Sequence, residues 1–297
     1  MVNGAKILEA GFLGIMLLNP GMSAAKTQTN TPSADGHQMQ ESAIPVTVRS
    51  GFLAIVAGQI GGQKHNFVVD TGTAPSVLNA RLAKKMGLEV RSAALVAAGR
   101  RAITGQAVLP ELELGPIHAT NLSVTVMDLS AWEEKLGIEL AGLVGMDVLG
   151  RTDFRLDYDR KELAFGGVAT DGIAVGYDGR RGLALAEATV QGKRVRLIVD
   201  TGSDLVVVYG ENWGTREAAG QLDPLLEGNG ISVAGRVGVR PLAKPEMELD
   251  GKQFRGLRTY YVPSAAGTGY DGFFGVRGLK LRGISFDRAT QTMYLLN

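Results

Sequence analysis

Two aspartates in this chain end apolar runs in the same way. Asp70 closes Asn66-Phe67-Val68-Val69 and opens Asp70-Thr71-Gly72-Thr73. Asp200, 130 positions later, closes Arg196-Leu197-Ile198-Val199 and opens Asp200-Thr201-Gly202-Ser203. A carboxylate at the end of such a run sits where a buried strand finishes, and burial raises the cost of ionising it. Glycine two residues on lets the backbone turn sharply or approach another segment closely. The threonine between them can hydrogen-bond across to its counterpart. One such site is an odd buried acid. Two of them, placed by a two-fold repeat, bring carboxylates face to face. Like charges at that distance cannot both ionise, so one proton is shared and the pair titrates as a unit. The ionised member takes a proton from a water held between them; the protonated member donates to a carbonyl under attack. That chemistry needs no metal and no covalent intermediate.

The spacing extends well beyond the two triplets. At the same offset of 130, Gly62 maps to Gly192, Gly145 to Gly275 and Asp157 to Asp287. Between these anchors the register drifts: ELELG at 111–115 matches EMELDG at 246–251 better at an offset of 135. Each unit of about 125 residues is too long for a solenoid repeat. Two such units in 297 residues predict two lobes related by a pseudo-two-fold axis.

The elements that must hold the pair read as strands. LAIVAGQIGGQKHNFVVD and LALAEATVQGKRVRLIVD are each two apolar runs joined by a Gly-containing turn, a hairpin signal. A helix is expected over 79–87, capped by Asn79 and stopped by Gly87, and another over 130–137, with Ser130 and Glu133 in capping-box spacing. Asp147 is expected to cap a further short helix. The Gly-rich stretches 91–110 and 228–241 are candidate flaps, with tips at Gly99-Arg100-Arg101 and Gly235-Arg236. The fold class is all-β, with few short helices. The lobes are expected over 46–175 and 176–297.

Composition narrows the function classes. A net charge of +1 gives no electrostatic case for nucleic acid or an anionic membrane surface. The absence of cysteine removes disulfides, thiol nucleophiles and Cys-ligated metal. His37, His65 and His118 are scattered, so no metal is expected, and no cofactor. No G-x-S-x-G occurs, and QIGGQK lacks the helix context of a phosphate loop. Trp132 and Trp213 read as packing anchors. At the N-terminus, Lys6, the apolar stretch GFLGIMLL and Ser23-Ala24-Ala25 read as a signal peptide over 1–25, despite Glu9. The apolar stretch falls short of the roughly 20 residues needed to span a bilayer. Residues 26–45 are polar and read as a disordered linker. The chain is therefore expected outside the cytoplasm, periplasmic or secreted.

The two DTG motifs, each followed 75 positions later by the Gly of Leu143-Val144-Gly145 or Phe273-Phe274-Gly275, resemble the aspartic peptidases over roughly residues 50–297. In that family the paired carboxylates share one proton. The resemblance implies that Asp70 and Asp200 are the catalytic dyad, with Thr71, Gly72, Thr73, Thr201, Gly202 and Ser203 in support. Thr73 and Ser203 would both donate to the outer oxygens of the carboxylates. The pattern Asp200-Thr201-Gly202-Ser203-Asp204 is similar to a retroviral one whose second Asp contacts substrate backbone, so Asp204 inherits that role; Ala74 stands in its place in the first copy. GMDVL at 145–149 resembles bacterial retropepsin-like proteins, and no tyrosine lies between Gly72 and Gly145 where pepsin-like enzymes carry a flap tyrosine. The implied protein is a single-chain, two-lobed retropepsin-like aspartic endopeptidase, a monomer with an internal pseudo-dimer acting on peptide or protein substrates. Two alternatives stay open: a catalytically inactive peptide-binding or scaffold protein on the same fold, and active sites built across two chains. For Asp157 and Asp287 a turn role is expected.

Overall fold

The apolar runs that lead into the two triplets become central strands because they are covered on both faces. In the computed structural model, which describes residues 8–12, 41–97, 100–180, 182–210, 228–232, 235–242, 245–262 and 269–297, Phe67, Val68 and Val69 and their counterparts Leu197, Ile198 and Val199 are almost wholly buried. A strand buried on both faces reads as a continuous apolar run rather than an alternation. The strand Gln63–Val69 pairs with Leu53–Ile60, and Lys193–Asp200 with Leu185–Val190, as the two expected hairpins. The strands Gly142–Val144 and Gly272–Gly275 lie parallel to these lead-in strands. On their other side they pair with the strands that leave the triplets, Val77–Asn79 and Val206–Tyr209. The chain is all-β; among the described residues the strands form sheets of 10 and 13.

The drift in register is real in three dimensions. Gln59 faces Glu113 in the first copy, and Thr189 faces Glu248 in the second: 130 positions apart on one strand, 135 on its partner. The pairs Val77–Thr125 and Val207–Tyr260 repeat the same offsets. At Gly142 and Gly272 the offset is 130 again. The first copy makes up the difference just before that point, where the helix Ser130–Leu136 lies between Met127 and Gly142.

Helix ends follow the expected chemistry in one case and depart from it in two. Ala80–Lys85 is capped by Asn79, whose side chain accepts from the Arg81 N–H, and Gly87 follows at φ 66°. Ser130, expected as a cap, is instead the first residue of its helix; the Asp128 carboxylate takes the Ser130 N–H. Glu133 turns away from a capping box to accept from Leu140 N and Arg81. Asp147 does not cap Met146–Leu149. Gly145 is the cap residue, and Asp147 lies within the first turn with its side chain turned elsewhere.

The two copies are sewn together by strands. Phe154–Asp157 of the first runs antiparallel to Gly283–Asp287 of the second. Outward from this seam come Glu162–Phe165 and then Ser42–Arg49 on one side, and Thr292–Leu296 and then Ile173–Gly176 on the other. Phe154 and Phe286 stack across it with ring centroids 4.7 Å apart. The expected boundaries shift accordingly. Ile173–Gly176 runs across the 175/176 division and pairs with the last strand of the second copy. Residues 42–45, expected in the linker, are strand: Ile44, Val46 and Val48 turn inward between the exposed Ala43, Pro45, Thr47 and Arg49, and the strand pairs with Glu162–Phe165 on one side and Leu53–Ile60 on the other. Asp157 and Asp287 are turn residues as expected: Asp157 accepts from the N–H groups of Asp159 and Arg160, and Asp287 from Thr290 N.

Both candidate flaps are hairpins. Arg91–Ala97 pairs with Arg100–Leu114, and Gly228–Ser232 with Gly235–Pro241. Arg100 and Arg101, and Gly235 and Arg236, open the second strand of each hairpin; the residues between the strands lie outside the described residues. Gly99, His37, Trp213 and residues 26–40 lie outside the described residues. Of the stretch read as a leader, Leu8–Phe12 is a strand parallel to Gly228–Ser232. Among the described residues no helix is long and apolar enough to cross a membrane.

Candidate active site

Each triplet is fixed first by its own copy. Asp70 N donates to Val144 O at 3.0 Å, and Met146 N to Thr73 O at 2.9 Å. The apolar-apolar-Gly strand ends in glycine for a steric reason. A Cβ on Gly145 would lie 2.2 Å from Thr73 O, and one on Gly275 would lie 2.1 Å from Ser203 O.

The two triplets then fix each other. Thr71 N donates to Thr201 Oγ1 at 3.0 Å, and Thr201 N to Thr71 Oγ1 at 3.1 Å. Each hydroxyl passes its own proton to the strand that leads into the opposite triplet: Thr71 to Val199 O at 2.7 Å, Thr201 to Val69 O at 2.9 Å. Four bonds close a reciprocal brace in which every donor and acceptor is buried. All four bonds lie within the one chain.

The carboxylates meet across this brace. Asp70 and Asp200 are fully buried. Gly72 N donates to Asp70 Oδ1 at 2.9 Å and Gly202 N to Asp200 Oδ1 at 2.7 Å. A Cβ on Gly72 would lie 2.7 Å from Asp200 Cγ, and one on Gly202 would lie 2.9 Å from Asp70 Cγ. Each acid therefore rests against the other's glycine. Gly72→Ala should cost about 10²-fold in turnover by displacing Asp200, and roughly 1–3 kcal/mol of stability through overpacking. Steady-state kinetics and urea unfolding check this, and a fully active variant would refute the contact.

Burial pushes the Asp70 carboxyl up to about 7, against the opposing pull of its Gly72, Asp200 and Thr73 partners. Burial, and then the charge of Asp70, push Asp200 well above the ordinary carboxylate range. Asp200 Oδ2 is buried with no hydrogen-bond partner among the described residues. An oxygen in that position is best served by a proton shared with its neighbour. The arrangement is that of a mono-protonated pair, able to give and take a proton at one point.

The hydroxyls after the triplets behave differently from one another. Thr73 Oγ1 donates to Asp70 Oδ2 at 3.3 Å. Ser203 Oγ instead accepts the Leu205 N–H at 3.1 Å, so only one acid receives the expected outer donor. Thr73→Ala should therefore shift the acidic limb of a pH–rate profile upward by roughly half a unit, while Ser203→Ala leaves it in place. Equal shifts in the two variants would contradict this assignment.

Asp204 forms an ion pair with Arg258. Burial raises its pKa, and the charges of Arg258 and Lys135 oppose that rise. Ala74 packs, half-buried, against the second copy's cluster around Leu183, Leu185 and Phe273. The sequence reading missed what Asp147 does. Its Oδ1 accepts from Ser76 N at 3.0 Å and from Ser76 Oγ at 2.6 Å, while Gly145 N donates to that same Ser76 Oγ at 2.9 Å. Asp147 thus ties the short helix to the segment that leaves the first triplet. The signal was available: a lone acid among Met146, Val148 and Leu149 has an apolar setting that demands a partner. Tyr158 was missed too. Its ring lies under the Arg277 guanidinium at 5.3 Å, and its hydroxyl donates to Thr201 O at 3.4 Å.

Residues 56–148 match the family model of the aspartyl proteases. The matched segment runs from the first hairpin through Asp70 into the Met146–Leu149 helix, and so covers the part of the first copy that holds the triplet and its Gly145 partner. No curated protein matches the chain. The matched segment contains the first DTG and its Gly145 partner; the second copy repeats both outside the match.

Proposed function

We propose that the chain is an aspartic endopeptidase that hydrolyses peptide bonds with water activated between Asp70 and Asp200. The reading rests on one observation above the others: two fully buried carboxylates, each seated on the glycine of the opposite triplet and held by the reciprocal threonine brace. In this reading the ionised member of the pair removes a proton from water, and the protonated member donates to the scissile carbonyl oxygen. Thr71 and Thr201 keep the acids in register, while Gly72 and Gly202 permit the approach. An extended peptide lies between the lobes, adding strand-like hydrogen bonds to the flap hairpins. Asp204 and Ala74 flank it unequally, so the two sides of the cleft treat substrate differently. The chain works as a monomer without a cofactor, and the leader-like stretch before Ser23-Ala24-Ala25 sends it out of the cytoplasm.

Incubating the full chain with a degenerate peptide library across acidic to neutral pH, and sequencing the products, tests the proposal. Cleavage at a restricted set of bonds is expected. Peptide binding without any product across that range would replace the endopeptidase reading with that of a peptide-binding protein.

A further inference from the structure

A pocket of about 380 Å³ is lined by residues of both copies. Ser50 and Phe52 come from the first copy; Asp204, Arg258, Arg277 and Lys280 come from the second. Its charge is lopsided. Three cations face one carboxylate, and that carboxylate is already paired with Arg258. Among the described residues neither Arg277 nor Lys280 forms an ion pair. Arg277 is held in place by donating Nε–H to Gly51 O at 3.2 Å and Nη1–H to Leu281 O at 2.9 Å. Its position is therefore set by neutral carbonyls, which leave the charge uncancelled. Lys280 takes a left-handed φ of 62°, which a lysine adopts only at a cost. The volume lies within the ordinary range for a small-ligand site.

We propose that this seam pocket binds an oxyanion, a carboxylate or phosphate group, between Arg277 and Lys280 with Arg258 behind. A guanidinium fork and a mobile ammonium are the usual pair for such a group. Arg277 also stacks on Tyr158, whose hydroxyl reaches Thr201 O, so the pocket is linked to the brace through Tyr158. Two sources supply such a group: an acidic side chain on a peptide, or a small free ion.

Calorimetric titration of the full chain carrying Asp200→Asn separates this site from turnover, so its outcome is independent of the endopeptidase reading. The probes are pyrophosphate and a hexaglutamate peptide at an ionic strength of about 20 mM, where screening is weak. Lys280→Gly removes the cation while relieving the left-handed backbone, so folding is not at stake. Saturable binding that weakens about tenfold in Lys280→Gly and is unchanged in the exposed-site control Lys64→Ala supports the pocket. Tighter hexaglutamate assigns it to an acidic peptide, and tighter pyrophosphate to a free ion. If neither probe binds, or if neither loses affinity in Lys280→Gly, the proposal is overturned.

Discussion

Asp200→Asn is expected to lower turnover about 10⁴-fold and, at neutral pH, to make the protein more stable. The loss follows from the proposed chemistry. Asparagine neither takes a proton from water nor shares one with Asp70, so both halves of the acid–base step fail. The gain follows from linkage. Asp70 and Asp200 have raised pKa values, caused chiefly by burial. A carboxyl whose folded pKa lies above its unfolded one binds protons more tightly in the native state. Its favourable contribution is complete below the unfolded value, near 3.8, and is lost as pH climbs through the folded value, about 7 for Asp70. At neutral pH the parent therefore carries a penalty that it escapes in acid. Asparagine does not ionise, keeps an oxygen for the Gly202 N–H, and offers an N–H to Asp70 in place of the shared proton. The variant should gain of order 2 kcal/mol over the parent between pH 4 and pH 8. Urea unfolding at the two pH values measures this. A stability difference that does not change with pH would remove the raised pKa from the account, whatever happens to turnover.

Arg282→Ala should be the most damaging change far from the dyad, costing about 3 kcal/mol. The guanidinium pairs with Asp157, whose side chain is 1% exposed, and with Asp171 at 2.8 Å. It also donates to Asn297 O at 2.8 Å. One side chain of the second copy thus ties two acids of the first to the last residue of the sequence. Removing it leaves the Asp157 charge buried, held by the two turn N–H groups and a distant Arg160 at 3.9 Å. Arg282→Ala/Asp157→Asn should recover part of the loss, because the orphaned charge goes with it. If the double variant is no better than Arg282→Ala alone, the buried charge is not the cause.

The parts of this architecture that could be read from sequence share a property: each is written in a short local pattern that occurs twice. The apolar runs before Asp70 and Asp200, the Gly-turn hairpins and the shift from 130 to 135 are all of this kind, and all appear in the strand pairings. What stayed hidden depends on which way a single side chain points once distant segments have met. Asp147 sits where a cap is plausible, yet Gly145 already fills that role and Ser76, 71 positions earlier, offers two donors. Ser203 and Thr73 occupy matching positions with the same functional group, but the Leu205 N–H claims the serine oxygen. The shared sheet was hidden because pairing between distant segments leaves almost no trace in composition: residues 42–45 look like linker until Glu162–Phe165 lies beside them.

The pairing of Phe154–Asp157 with Gly283–Asp287 has one more consequence. When two halves of a site belong to separate molecules, dilution pulls them apart. Here they are joined by one polypeptide and by a seam of paired strands, so each half experiences the other at a fixed effective concentration set by the connection, however thin the solution. Covalent joining also frees the halves from matching. A change at position 147 is not copied to 277, and the chain already carries Asp at one and Arg at the other, bracing the first triplet on one side and facing the seam pocket on the other.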